Sequence, residues 1–168
     1  MPATAWRVRA ARPDDATALH ALITELAEYE REPDAVEATP DALRAALFNP
    51  HPRVHALVGE VDGPEGAEVA AMAIWYVTFS TWRGRHGIWL EDVYVRPAYR
   101  RLGLARALLG ELAQICVERG YPRLEWWVLD WNESAHTFYR SLGATPQDEW
   151  TVWRVDDEAL KVLGSPAV

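Results

Sequence analysis

The stretch YVRPAYRRLGLARALL (94–109) carries the strongest chemical signal in the chain. An extended segment stops at Pro97, a glycine-bearing loop follows, and a long helix with apolar periodicity begins. The first amides of a helix have no partner inside it. They point outward with partial positive charge and bind phosphate readily. Gly103 lets a ligand approach the backbone closely, Ala105 keeps the next position small, and Arg100, Arg101 and Arg106 add charge-assisted contacts. The loop lacks the Gly-Lys-Ser/Thr ending of a P-loop and the three spaced glycines of a dinucleotide fingerprint. Taken alone, such a loop is more often an ordinary strand-to-helix turn with solvated arginines.

A second signal is Glu91, set in the apolar run GIWLEDVYV (87–95). A carboxylate in mid-strand is costly unless it faces a pocket or a partner. A salt-bridged sheet residue is the alternative reading. Strand alternation sends Asp92 to the opposite face, as a structural group.

These groups need elements to hold them. WRVRA (6–10) alternates and reads as a strand. Pro13 suits the first position of a helix running to about Tyr29, with Asp14 and Asp15 at its positive end. Thr39 caps a second helix that ends near Asn49. Strands are expected at 54–60, 68–79 and 87–95, the first two joined by a hairpin loop at Asp62–Gly66. The long helix ends at Gly120, a strand covers 123–129, a short helix covers 133–142, and two last strands cover about 144–148 and 150–155. The expected fold is α/β: a central mixed sheet of about seven strands flanked by four helices, in one domain over residues 1–168.

Composition narrows the function. The chain has 168 residues, 49% of them hydrophobic, which is enough for one full core. Seventeen basic against twenty-five acidic residues give a net charge of −8, without the basic footprint of a nucleic-acid binder. No apolar run reaches the roughly 18–20 residues of a membrane span. The first residues lack the pattern of a signal peptide, and the one cysteine, Cys116, reads as core. The expectation is a cytoplasmic protein that binds neither membrane nor nucleic acid. His51 and His55 have Pro52 between them and no third ligand, so no metal is expected.

Arg100 to Ala105 resembles the Q/R-x-x-G-x-G/A signature of the GNAT superfamily of acyl-CoA-dependent N-acetyltransferases. LEDVYV (90–95) upstream and WNESAHTFYRSLGA (131–144) downstream match the same superfamily at the expected spacing. Within it, LAEYE (26–30), WLEDVYV (89–95), YRRLGLA (99–105) and DWNESAHTFYRSLGA (130–144) look most like the diamine acetyltransferases of spermidine/spermine and thialysine type.

The resemblance implies a site. Arg100, Arg101, Leu102, Gly103, Leu104, Ala105 and Arg106 would hold the pyrophosphate of acetyl-CoA. Val93, Tyr94 and Val95 would pair with its pantetheine arm, as an added strand does. The strand carrying them would splay from the one starting at residue 123, and the Val93 amide would polarise the thioester carbonyl. Asn132, Glu133, Ser134 and Ala135 match a segment that contacts the CoA arm. Tyr139 matches the family's proton donor to the leaving thiolate, and it too would line the CoA site. Glu91 would recognise the amine and deprotonate it, directly or through water. Tyr29, Glu30, Glu125, Trp126 and Trp127 match substrate-side positions, with Trp126 and Trp127 pointing to opposite faces so that only one lines the site. An amine of pKa about 10.4 is protonated at neutral pH, so transfer needs a proton acceptor near nitrogen and a donor near sulfur.

The implied activity is acetyl transfer from acetyl-CoA to a small primary amine by direct attack in a ternary complex. The candidate acceptors are diamines or polyamines, thialysine, and lysine-like amino acids. Arg83, Arg85 and His86 weigh against long polyamines. The rivals are a peptide or protein acetyltransferase and a non-catalytic acyl-CoA-binding module. Family members are often homodimers, and Trp150, Val152 and Trp153 suit an interface.

Overall fold

A computed structural model describes residues 5–63 and 66–165. Packing divides the chain into two compact units, 1–127 and 128–168.

The first unit holds a five-stranded sheet in the order β1-β2-β3-β4-β5. The strands are β1 (Trp6–Ala10), β2 (His55–Gly63), β3 (Gly66–Ser80), β4 (Arg85–Val95) and β5 (Leu124–Glu125). The first four pair antiparallel, and β5 joins β4 in parallel. Gly63 pairs with Gly66 at the expected hairpin; residues 64 and 65 of that loop lie outside the described residues.

Pro13–Asp15 forms one turn of 3-10 helix and leads into α1 (Ala16–Tyr29). The second helix, α2 (Pro40–Leu47), starts as its sequence dictates: the Thr39 hydroxyl accepts from the Ala42 amide at 3.1 Å. Leu19 and Leu22 of α1 and Leu47 of α2 pack on Val58, Met72, Ile74 and Tyr94. The other sheet face carries α3 (Leu104–Arg119), which ends at Gly120 in the left-handed conformation. Leu104 lies against Gly59, which alternates with Val58 along β2.

Arg9 ties β1 to the neighbouring elements. Its guanidinium donates to Asp15 at 2.7 Å and to Glu60 at 2.8 Å. Arg7 also pairs with Glu60.

The second unit contains α4 (Glu133–Ser141) and α5 (Asp157–Leu163). Three expectations are corrected. The strand at 123–129 is only Leu124–Glu125 in length. Neither 144–148 nor 150–155 is a strand, so the described sheet has five strands rather than seven. Residues 145–155 are exposed, and Pro146 lacks the donor that a ladder needs. Alternation along 150–155 is a strand pattern, but a strand exists only where a neighbour completes its hydrogen bonds. The last segment, with Asp157 and Glu158 in its first turn and Lys161 in its last, forms a fifth helix where four were expected. No helix among the described residues is long and apolar enough to cross a membrane.

Candidate active site

The cradle is built by two left-handed residues. Arg101 has φ 66° and Gly103 has φ 97°, which turn the chain sharply into α3. The first helical bond of α3 runs from the Ala107 amide to the Gly103 carbonyl at 3.0 Å. The amides of Leu104, Ala105 and Arg106 therefore have no acceptor within the helix. Arg101, Leu102 and Arg106 are exposed around them. Leu104 fixes the site's height above the sheet: a Cβ on Gly59 would stand 2.8 Å from its Cδ2. The residues fit a bound diphosphate.

Arg100 takes another course. Its Nε donates to the Val95 carbonyl at 3.0 Å, and its guanidinium lies 5.1 Å from the Tyr29 ring and 5.8 Å from the Tyr94 ring. The loop is thereby fastened to the end of β4 and to the end of α1.

β4 and β5 pair only at Ile88–Leu124 and Trp89–Glu125. Beyond Trp89 the outer edge of β4, carrying Val93, Tyr94 and Val95, has no ladder partner among the described residues. An unpaired edge of this kind can take an added extended arm.

The register of β3 against β4 overturns one expectation. Ile74 pairs with Asp92, Trp75 with Leu90 and Tyr76 with Trp89, so Glu91 is an extra residue with no partner. Cross-strand partners share a face, and Ile74 and Tyr76, two apart on β3, share one as well. Trp89 and Asp92 must then lie on the same face. Glu91 joins them there: the Trp89 indole donates to its Oε2 at 2.9 Å, and its charge acts on the Tyr76 hydroxyl. Asp92 is therefore not on the far side of the sheet from Glu91. The bulge resets the alternation between them.

This face is acidic and aromatic. Burial and, secondarily, the charges of Glu91 and Glu30 push the Asp92 carboxyl up to about 6. Glu30, just past the end of α1, is also raised by burial. Burial, followed by the Glu91 charge, raises the Tyr76 hydroxyl. Trp127 meets Trp89 edge to face at 4.9 Å and is 60% exposed. Glu125 pairs with Arg123 at 2.7 Å. β5 stops before Trp126, so strand alternation does not assign Trp126 and Trp127 to faces. Trp82 is almost fully exposed on the turn between β3 and β4.

In the second unit, Asn132 caps α4 by accepting from the Ala135 amide at 3.2 Å, and the Ser134 hydroxyl donates to the same oxygen at 3.1 Å. Glu133 opens the helix, and Tyr139 lies on it beside Phe138, with ring centroids 5.4 Å apart.

Sequence reasoning missed Tyr76, Trp89 and Asp92 as members of the acid face. Trp89, two residues before Glu91, was accessible through simple alternation. Tyr76 and Asp92 depend on cross-strand register and on the bulge.

A model of the Acetyltransferase (GNAT) family matches residues 19–144. The chain is 37% identical over 163 residues to a thialysine N-epsilon-acetyltransferase of Bos taurus, covering 93% of this chain and 95% of that protein. It is 38% identical over 151 residues to one of Caenorhabditis elegans, covering 88% and 90%. An L-ornithine N5-acetyltransferase of Arabidopsis thaliana is 26% identical over 94% of this chain and 87% of its own. Among solved structures, an integron cassette protein from the mobile metagenome of V. cholerae superposes with a TM-score of 0.77 at 22% identity, over 96% of this chain and 98% of that one. The chain thus has the fold, and belongs to the family, of the GNAT acetyltransferases.

Proposed function

We propose that this enzyme moves the acetyl group of acetyl-CoA to the primary amine of a small, lysine-like amino acid or diamine, by direct attack within a ternary complex. The observation that carries this reading is the shared face of Glu91, Asp92 and Glu30 beside Trp89 and Trp127. Carboxylates next to aromatic faces suit a primary ammonium. The relatives' names, thialysine and L-ornithine acetyltransferases, support an acceptor of this size.

In this reading the amides at the start of α3 take the diphosphate, and the unpaired edge of β4 at Val93–Val95 takes the pantetheine arm. Glu91, held by the Trp89 indole, fixes the ammonium. The amine then attacks the thioester carbon. A C–N bond forms, the C–S bond breaks, and the Tyr139 hydroxyl supplies the proton that the thiolate needs. Residues 1–168 act as one catalytic domain. We place the enzyme in the cytoplasm as a homodimer, a state supported by the exposed Trp150 (72%) and Trp153 (90%).

The test is thiol release from acetyl-CoA over a panel of lysine, thialysine, ornithine, polyamines, amino sugars and peptides. The expected result is turnover with the small amino acids and short diamines. Turnover with peptides alone would overturn the acceptor class. Tyr139→Phe should cut turnover and leave acetyl-CoA affinity intact; undiminished turnover removes Tyr139 from the mechanism.

A further inference from the structure

Apolar burial fixes only the front of α1. Its buried residues are Ala16, Leu19 and Leu22, while Ile23, Leu26 and Tyr29 are only partly buried against the core. The back of the helix, which carries Tyr29 and leads into Glu30, is held by polar contacts as well. Arg96, the first residue past β4, aims its guanidinium at Glu25 of this helix. Its Nε donates to the two carboxylate oxygens at 3.0 and 3.2 Å, and Nη2 lies 2.9 Å from Oε1. Its Nη1 donates to the Val69 carbonyl at 3.3 Å and stands 3.6 Å from Glu68 Oε2. The Arg96 amide donates to the Ala70 carbonyl at 3.0 Å, which anchors the backbone beneath this fork to β3.

Four residues on, the Arg100 guanidinium lies 5.1 Å from the Tyr29 ring. Glu25 and Tyr29 are one turn apart on α1 and share a face. The short turn Pro97–Tyr99 is thus flanked by two arginines that grip successive turns of one helix. A guanidinium forked onto a carboxylate fixes angle as well as distance, which a point charge does not. What this fork fixes is the spacing between two elements that both bring carboxylates to the acid face: α1 through Glu30, and β4 through Glu91.

Resting on the acetyl-transfer reading above, we propose that Arg96 is a positioning residue that sets acceptor length: by clamping Glu25 it holds the end of α1 at a fixed spacing from β4, and so selects amines by the distance between their two ammonium ends. Arg96 itself touches no substrate. Acceptors of the proposed class carry two such ends, one for Glu91 and one for Glu30. A spacing held rigidly rejects a chain one atom too short or too long, whereas a spacing that yields accepts both. Losing the Arg96–Glu25 pair leaves the buried front of α1 and the Arg100 contacts in place, so the helix stays packed and only its end loosens.

The experiment compares Arg96→Met and Glu25→Gln with the wild type in the full chain, measuring kcat/KM for thialysine and for ornithine, whose chain is one atom shorter. The wild-type ratio should depart from one by about tenfold or more. Each variant should lose most of that preference and keep the wild-type calorimetric Kd for acetyl-CoA. The double variant should shift the ratio no further than either single one, because the two residues share one interaction. Glu25→Gln preserves side-chain shape and tests the pair even where Arg96→Met fails to fold. A purely structural ion pair would lower Tm and reduce kcat/KM for both acceptors by the same factor. That result overturns the proposal, as does a wild-type ratio near one or full additivity in the double variant. A wild-type protein that releases no thiol with any amine overturns the transfer reading itself.

Discussion

The Arg100 guanidinium sits 5.1 Å from the Tyr29 ring and donates to the Val95 carbonyl, so the first arginine of the glycine loop reaches toward the acid face rather than into the cradle. One side chain thereby joins the end of α1, the end of β4 and the loop that opens α3.

Arg100→Ala removes two cation–π contacts of about 0.5–1 kcal/mol each and one hydrogen bond. The expected result is a higher KM for the amine as well as for acetyl-CoA, since both ends lose their fastening. Arg100→Lys should recover only part of it, because an ammonium does not stack as a guanidinium does. Steady-state kinetics with each substrate varied in turn checks this; an amine KM unchanged in Arg100→Ala would refute the link.

Gly59 sets the position of the cradle from the sheet face that carries α3. A Cβ there would stand 2.8 Å from Leu104 Cδ2 and 3.0 Å from the Ala71 Cβ. Gly59→Ala should cost about 1–3 kcal/mol in overpacking and weaken acetyl-CoA binding by displacing the start of α3. Calorimetry and urea unfolding together read both effects. Full acetyl-CoA affinity in a destabilised variant would show that the helix start does not move.

Asp92 makes the native state less stable as pH rises. Its folded value of about 6 lies above the ordinary 3.8, so between these the folded protein holds a proton that the unfolded chain has lost. Below about pH 4 the group costs nothing. The cost grows from there to pH 6 and is complete above it, on the order of 3 kcal/mol at 1.36 kcal/mol per unit. The Tm gain of Asp92→Asn over wild type should therefore be larger at pH 8 than at pH 5. Equal gains at both values would contradict the raised carboxyl.

Arg9 works in the reverse sense. It is 15% exposed and holds two buried carboxylates. Its hydrogen bond lowers Glu60 despite burial, and for Asp15 it overcomes a burial effect that would raise the group. Both contributions are present above the ordinary carboxylate pKa and disappear as pH falls through the lowered values. Arg9→Met leaves Asp15 without its ion pair and Glu60 with Arg7 alone, and should cost about 3–5 kcal/mol at pH 7, with the deficit shrinking in acid. Urea midpoints at pH 7 and pH 4 measure it; a loss of under 1 kcal/mol at pH 7 would mean water replaces the guanidinium.

Local chemistry made much of this protein legible in advance. Thr39-Pro40 specified a helix start, Gly120 a helix end, and the apolar spacing of Leu104, Leu108 and Leu112 the buried stripe of α3. The glycine turn into α3 was legible because its signal lies within a few consecutive residues. The same logic failed at 144–155, where alternation proposed strands. Pairing, unlike helical hydrogen bonding, depends on a chain segment remote in sequence.

What the sequence determined by itself was therefore the set of elements closed by their own neighbours, the glycine turn into α3, and the presence of carboxylates in a strand that should be apolar. Only the tertiary structure decided which face those carboxylates share. One unpaired residue in β4, visible solely against the register of β3, places Glu91 and Asp92 together. The reason is geometric: the direction of a strand side chain is fixed by counting along its partner, and a single-residue bulge changes that count without changing the local sequence pattern.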